Sequence, residues 1–249
     1  MTWLDAVAVV AAGLAAGAIN AVVGSGTLVS FPTLLALGYP PVLANVTNTV
    51  GLTPGYVSAA IGYRRELCGQ RARLLRLGVA SGAGGLCGAL LLLRLPAATF
   101  EVIVPVLIGV GCGLVVAQPA ITARLSVRRA AAPHGSTSVW LLVFVAGVYG
   151  GYFGAAQSVL LLAILGIGLR ESMQRTNAAK NVLAGIVNGV AALLFVLFGP
   201  VAWSAAILLA AGSLVGGQVG ARIGRVLPDA AFRAVVVAVG VAAVFALLR

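Results

Sequence analysis

Charge is what this sequence has least of. Only 8% of the 249 residues are Asp, Glu, Lys or Arg, against roughly 25% in soluble domains. A chain this poor in charge has too little polar surface to cover a globule facing water. The acidic residues number five (Asp5, Glu66, Glu101, Glu171 and Asp229), and all fall in connectors or at expected helix ends. No carboxylate therefore sits where a membrane pump would bind a cation or relay a proton. Histidine occurs once, as His134 in a connector, and lysine once, as Lys180. The three cysteines, Cys68, Cys87 and Cys112, make no CxxC pair and no metal spacing. No HExxH, GxSxG or Walker loop is present, so no catalytic set, metal site or cofactor site is expected. A soluble enzyme, a disulfide scaffold and a disordered chain are all excluded.

What is present is apolar. The hydrophobic share is 61% and the mean hydropathy +1.11. Charge-free stretches run over Ala6–Tyr63, Leu77–Leu93, Val102–Ala123, Ala130–Leu169 and Asn181–Ala221. A spanning helix needs about 20 residues, so the pattern is that of an all-α polytopic membrane protein. The net charge of +11 does not point to nucleic acid. Its arginines cluster in short connectors, Arg64, Arg65, Arg71, Arg73 and Arg76 in one and Arg124, Arg128 and Arg129 in another. That is the positive-inside signature, in which connectors meet anionic lipid headgroups. The N-terminus lacks the basic region of a cleaved signal peptide, so the first helix is expected to be retained.

Gly and Pro breaks divide the chain into eight full spans and two short segments. The spans are Leu4–Val23, Val42–Gly62, Leu77–Leu95, Ala98–Ala117, Ser138–Phe153, Thr176–Phe198, Val201–Ala221 and Ala230–Leu248. The short pieces, Thr27–Leu37 and Ala155–Gly168, reach only about 17–21 Å against a hydrocarbon core of about 30 Å. They are either broken half-helices or re-entrant segments, tolerated at depth only where protein or water covers the backbone.

The two halves repeat. Gly17-x6-Gly24 matches Gly147-x6-Gly154, Thr47-Asn48 matches Thr176-Asn177, and Gly84-Gly85-x-x-Gly88-x6-Leu95-Pro96 matches Gly216-Gly217-x-x-Gly220-x6-Leu227-Pro228. The first repeat covers 1–118, a cytoplasmic linker 119–137, and the second repeat 138–249, within one membrane domain. Equivalent connectors carry opposite charge bias: arginines crowd 63–76, whereas Gly199-Pro200 has none. That asymmetry favours an inverted arrangement.

Paired, glycine-flanked short segments in two repeats point to a transporter binding site. A half-helix beginning near Gly24, Ser25, Gly26 and Thr27 presents unpaired N–H groups and a partial positive charge. Its counterpart is Gly154-Ala155-Ala156-Gln157. The following spans open on Thr47 and Asn48 in one half and on Thr176, Asn177, Lys180 and Asn181 in the other. Without Ala155 and Ala156, these twelve residues form the candidate substrate site. Donors, amides and one cation, with no carboxylate, suit a small anion. Glycine packing and lysine snorkelling are the plain structural alternatives. The GxxxG faces fit either intramolecular packing or a homodimer.

These residues also carry a family likeness. Gly24-Ser-Gly-Thr-Leu-Val-Ser-Phe-Pro-Thr-Leu-Leu-Ala-Leu-Gly38, Pro40-Pro-Val-Leu-Ala-Asn-Val-Thr-Asn48 and Gly62-Tyr-Arg-Arg-Glu66 resemble the first-repeat signature of the sulfite exporter TauE/SafE family. Gly151-Tyr-Phe-Gly-Ala155 and Arg175-Thr-Asn-Ala-Ala-Lys-Asn181 resemble its second-repeat signature. The resemblance implies a permease of the bacterial inner membrane for small anions such as sulfite or organosulfonates. The expected mechanism is alternating access. A channel with the same lining, or a membrane scaffold without a substrate, are the rival readings.

Overall fold

A computed structural model describes residues 1–125, 136–169 and 171–223. Nine helices fill the described residues, which contain no strand. They are α1 (Trp3–Val22), α2 (Thr27–Ala36), α3 (Pro41–Gly62), α4 (Arg71–Arg94), α5 (Ala97–Leu125), α6 (Thr137–Tyr152), α7 (Gln157–Gly168), α8 (Met173–Phe198) and α9 (Trp203–Ile223). Helix starts follow local chemistry. Thr2 and Asp5 form a capping box at α1, Pro41 opens α3, and the Ser136 and Ser172 hydroxyls accept the third-residue N–H of α6 and α8.

Five helices, α1, α4, α5 through Ala120, α8 and α9, are long and apolar enough to cross a membrane. The chain is thus a multi-pass membrane protein. The expected total of eight spans meets three differences. Helix α3 is long, with 22 residues, but the buried Asn45, Thr47, Asn48 and Thr49 make it too polar to stand among those five. Helix α6 has only 16 residues, about 24 Å. The span expected over Ala230–Leu248 lies outside the described residues.

Two boundaries are corrected. Helix α4 begins at Arg71, not at Leu77, because Arg71 and Arg76 stay exposed while Arg73 turns inward, so the helix continues through the basic segment. Helix α5 continues past Ala117 to Leu125, carrying Pro105 and Pro119 inside it.

Glycine seams set the packing. A Cβ on Gly13 would overlap Leu209, one on Gly17 would overlap Ser213, and those on Gly216 and Gly220 would overlap Leu14 and Ala18. Helices α1 and α9 are therefore in backbone contact and run parallel. Gly84 against Phe144 and Gly147, and Gly88 against Val148 and Tyr152, seal α4 to α6 in the same way. Lipid gives little hydrophobic drive between helices, so close van der Waals approach at small residues holds them together. Helix α3 lies parallel to α9, with Gly51 on Leu209, Gly55 on Ser213 and Gly62 on Ala221. Helix α4 is parallel to α8, with Arg73 beside Glu171 at one end and Leu93 beside Gly199 at the other. Helices α3 and α8 cross antiparallel, Tyr63 meeting Asn177 and Tyr56 meeting Gly185. Hence α1, α3 and α9 point one way and α4, α6 and α8 the other. The GxxxG faces named as possible dimer surfaces are occupied within the chain.

Since α1 and α3 are parallel, α2 must bring the chain back between them. Phe31 of α2 packs edge-on against Phe153 at 5.3 Å, and Phe100 of α5 lies 5.9 Å from Phe153. This aromatic cluster wedges the short helix against the ends of α5 and α6.

Gly88→Ala tests the seam. Its Cβ would overlap the Val148 carbonyl, and overpacking of this kind costs about 1–3 kcal/mol. Gly109→Ala, where nothing lies within 4 Å, is expected to be neutral or stabilising by at most about 1 kcal/mol. Thermal unfolding of the two variants in detergent compares them.

Candidate functional site

The two short helices begin with the same backbone device. The N–H groups of Val23 and Gly24 both donate to the Ile19 carbonyl, at 2.7 and 2.8 Å, and those of Phe153 and Gly154 both donate to Tyr149, at 3.0 and 3.3 Å. Gly24 and Gly154 have φ of 93° and 77°, in the left-handed region that glycine enters freely. At Gly24 a side chain is excluded twice, because a Cβ there would overlap Ser158 of α7. The turn leading into α2 thus rests on Ser158 in the first turn of α7, inside the molecule.

Next to this junction, α8 occupies the end of α1. The last carbonyls of a helix lack intrahelical donors, and its C-terminus favours positive charge. Lys180, fully buried, donates from Nζ to the Asn20 carbonyl at 3.1 Å. Asn177 and Asn181 each donate from Nδ2 to the Ala21 carbonyl at 3.1 Å. Asn177 also donates to the Tyr63 hydroxyl at 3.1 Å. The side chain of Asn20 faces the other way, its Oδ1 accepting the Gly26 N–H at 2.7 Å. One residue therefore links the lysine to the start of α2. Lys180 does not snorkel: it is held against α1 and has no exposure.

The first half is arranged differently. Asn48 accepts the Ser30 hydroxyl and lies 3.5 Å from the Thr27 hydroxyl, so it stays within its own repeat. Asn45 crosses instead, donating to the Tyr152 carbonyl at the end of α6 at 2.9 Å. Thr47 accepts the Ala202 N–H at 3.0 Å, just before α9, and Thr176 bonds back to the Ser172 carbonyl at 3.0 Å. The structure thus places the Gly24–Thr27 segment and Asn177, Lys180 and Asn181 around the end of α1, with Ser158 of α7 against Gly24. Asn48 attaches through Thr27, while Thr47 and Thr176 are engaged by backbone near the helix starts.

Several of the candidate side chains keep buried polar atoms without a partner among the described residues: Ser25 Oγ, both amide atoms of Gln157, and Oδ1 of Asn177 and of Asn181. Each such atom costs about 1–3 kcal/mol, which a ligand that bonds them would offset. No Asp or Glu is buried as a whole residue among the described residues, although one oxygen of Glu66, in the connector before α4, is enclosed; no group of three or more His, Cys, Asp or Glu that could hold a metal occurs among them.

Outside the spanning segments, Glu171 ties two connectors together. It accepts from Arg73 at 2.9 Å and from Arg175 at 2.6 Å. Arg175 donates to the Cys68 carbonyl at 3.0 Å, and Gln70 donates to the Arg175 carbonyl at 3.1 Å. Partial burial pushes the Glu171 carboxyl up, but hydrogen bonds from Arg175 and Arg73 outweigh it and hold the group below 4.5.

Asn20 and Tyr63 are site neighbours that sequence reading passed over. A lone asparagine inside the apolar run of α1 was the available signal, since buried polar residues in a span need a partner. Nothing in the local pattern marks Tyr63, which reaches Asn177 only through the crossing of α3 and α8.

A multi-pass helical bundle, with the turn into one short helix resting on the start of the other near a buried lysine and amides, is an architecture suited to a membrane transport protein. The match to the family model described as sulfite exporter TauE/SafE extends over residues 9–247. The chain belongs to that family. It is similar to the probable membrane transporter protein ORF9 of Sinorhizobium sp. (28% identical; 83% of this chain and 78% of the relative covered). It is also similar to the probable membrane transporter protein YfcA of Escherichia coli K12 (28%; 84% and 76%). A probable membrane transporter protein of Haemophilus influenzae is 26% identical over 85% of this chain and 82% of its own. No solved structure matches.

Two outcomes follow. Asn20→Ala leaves the Gly26 N–H buried without its acceptor and is expected to lower stability by about 1–3 kcal/mol in detergent unfolding. Glu171→Gln is expected to lower the melting temperature at neutral pH. Because the folded Glu171 titrates below 4.5, its contribution is complete above that value and fades as pH falls through the lower folded value. The melting difference between wild type and variant should therefore close well below pH 4.5.

Proposed function

We propose that this chain is a secondary permease for a small anion, such as sulfite, an organosulfonate or another small organic anion. It works by alternating access in the bacterial cytoplasmic membrane. The observation that carries this reading is the contact between the turn into α2 and the first turn of α7, near fully buried Lys180, with no Asp or Glu buried as a whole residue among the described residues. Helix N-termini and an ammonium group both favour negative charge. The amide oxygens left open on Asn177 and Asn181 accept rather than donate, so the best-fitting anion also carries an O–H or N–H.

The reading of two inverted repeats, 1–118 and 138–249, draws support from helix direction. Equivalent helices α1 and α6, α3 and α8, and α4 and α9 are antiparallel, and the α1–α9 seam has its counterpart in the α6–α4 seam. Exchange of conformation between two such halves is a simple route to alternating access. The asymmetry at the site fits that scheme, since Asn177 and Asn181 reach across to α1 while Asn48 stays with α2.

Thermal shift of the purified protein against sulfite, sulfate, thiosulfate, sulfoacetate, acetate and lactate, with zwitterionic taurine as control, tests the assignment. A saturable rise is expected for one anion class, because a ligand that binds only the native state stabilises it. Asn177→Ala and Lys180→Met should remove the rise, and flux of that anion in proteoliposomes should fall at least tenfold. Flux unchanged in both correctly inserted variants would overturn the site, and absence of both shift and flux would favour a scaffold.

A further inference from the structure

A second binding feature opens beside the helix-end junction, with which it shares Asn181. Between α3 and α8 a groove of about 450 Å³ opens to the outside of the bundle, lined by Tyr56, Val57, Ala60, Ile61, Val182 and Ile186, with Asn181, Gly185 and Arg64 completing it. Gly185 lets the two helices approach closely, since a Cβ there would lie 3.2 Å from Tyr56 Cβ. Val57 and Ile61 are 54% and 51% exposed, so this wall faces the surroundings of the bundle. In a membrane those surroundings are acyl chains.

Polarity is distributed along the groove in a definite order. From Tyr56 to Gly62 the helical wall is about two turns deep, and apolar except for the inner Tyr56 and Asn181. At its outer end the helix stops, and Arg64 stands exposed at the mouth as the first of the connector arginines. An apolar slot with one guanidinium at its mouth is complementary to a molecule with a hydrocarbon tail and an anionic head. Guanidinium pairs with phosphate in a bidentate manner, and basic residues at the membrane surface attract anionic lipid.

We propose that the α3–α8 groove is a specific site for one anionic phospholipid of the leaflet that meets the basic connector. An acyl chain lies along Val57, Ala60, Ile61 and Ile186, and the phosphate sits on Arg64. The site joins the antiparallel pair that carries Tyr63 and Asn177, so a bound lipid braces the crossing between the two halves. This inference does not depend on which solute is transported.

The test uses the full-length protein in neutral detergent, titrated with phosphatidylglycerol, phosphatidylcholine or water-soluble sn-glycerol 3-phosphate. Melting temperature and native mass spectrometry are the readouts. Phosphatidylglycerol is expected to raise the melting temperature saturably, by about 5 °C or more, with one lipid retained per chain. Arg64→Gln should abolish the rise, and Ala60→Phe, which fills the slot, should weaken it at least tenfold in midpoint concentration. Arg71→Gln, an exposed arginine at the start of α4 outside the groove, should leave it intact. An equal rise with phosphatidylcholine would overturn the headgroup assignment. An equal rise with glycerol phosphate would make the site one for free anions and overturn the lipid. Equal loss in Arg71→Gln would reduce the effect to diffuse charge, and no rise at all would also sink the proposal. If Ala60→Phe fails to fold, the two arginine variants decide the matter alone.

Discussion

Inside a bilayer, helices gain little from hiding apolar surface, because lipid is as apolar as they are. What remains is close backbone approach at small residues and the satisfaction of every buried polar group. The α1–α9 and α4–α6 glycine seams meet the first requirement. Together with the α3–α9 and α4–α8 contacts they align three helices in one direction and three in the other, and the short helices lie within that frame. Without those seams, the ends of α1 and α6 would not be held where α8 and α3 can reach them.

The second requirement shapes the site. Helix α1 stops inside the protein, and its terminal carbonyls need donors. Lys180, Asn177 and Asn181 supply them, while Asn45 does the same for α6 at Tyr152. The residues that read as ligand contacts are thus also the caps of broken helices. The two roles are compatible, because an amide has two ends. Asn177 and Asn181 spend their N–H groups on α1 and leave their oxygens open. On the proposed reading, binding at the open atoms would be coupled to helix packing, since both rest on the same side chains.

Charge is placed with equal consistency. Among the described residues arginines are kept to connectors and helix ends, where Glu171 binds Arg73 at the start of α4 and Arg175 at the start of α8. The one lysine is buried where the α1 C-terminus favours it.

The sequence alone determined the class, the short helices and most of the polar set, because each rests on a local property. Charge-free length sets the spans, the Gly24-Ser25-Gly26 and Gly38 breaks bound α2, and Asn and Thr in apolar runs stand out whatever the fold. Boundaries were read less well where charge and helix coexist: Arg71–Arg76 form helix because only one face of α4 enters the bundle. Partnership was not legible. Whether Thr47 and Thr176 face the junction or bond to backbone, and whether Asn20 or Tyr63 belongs to it, depends on which helices cross and at what height. Those heights follow from glycine contacts between segments more than a hundred residues apart in the chain, such as Gly17 with Ser213. Local sequence carries the residue types for such contacts, but only the assembled bundle assigns their partners.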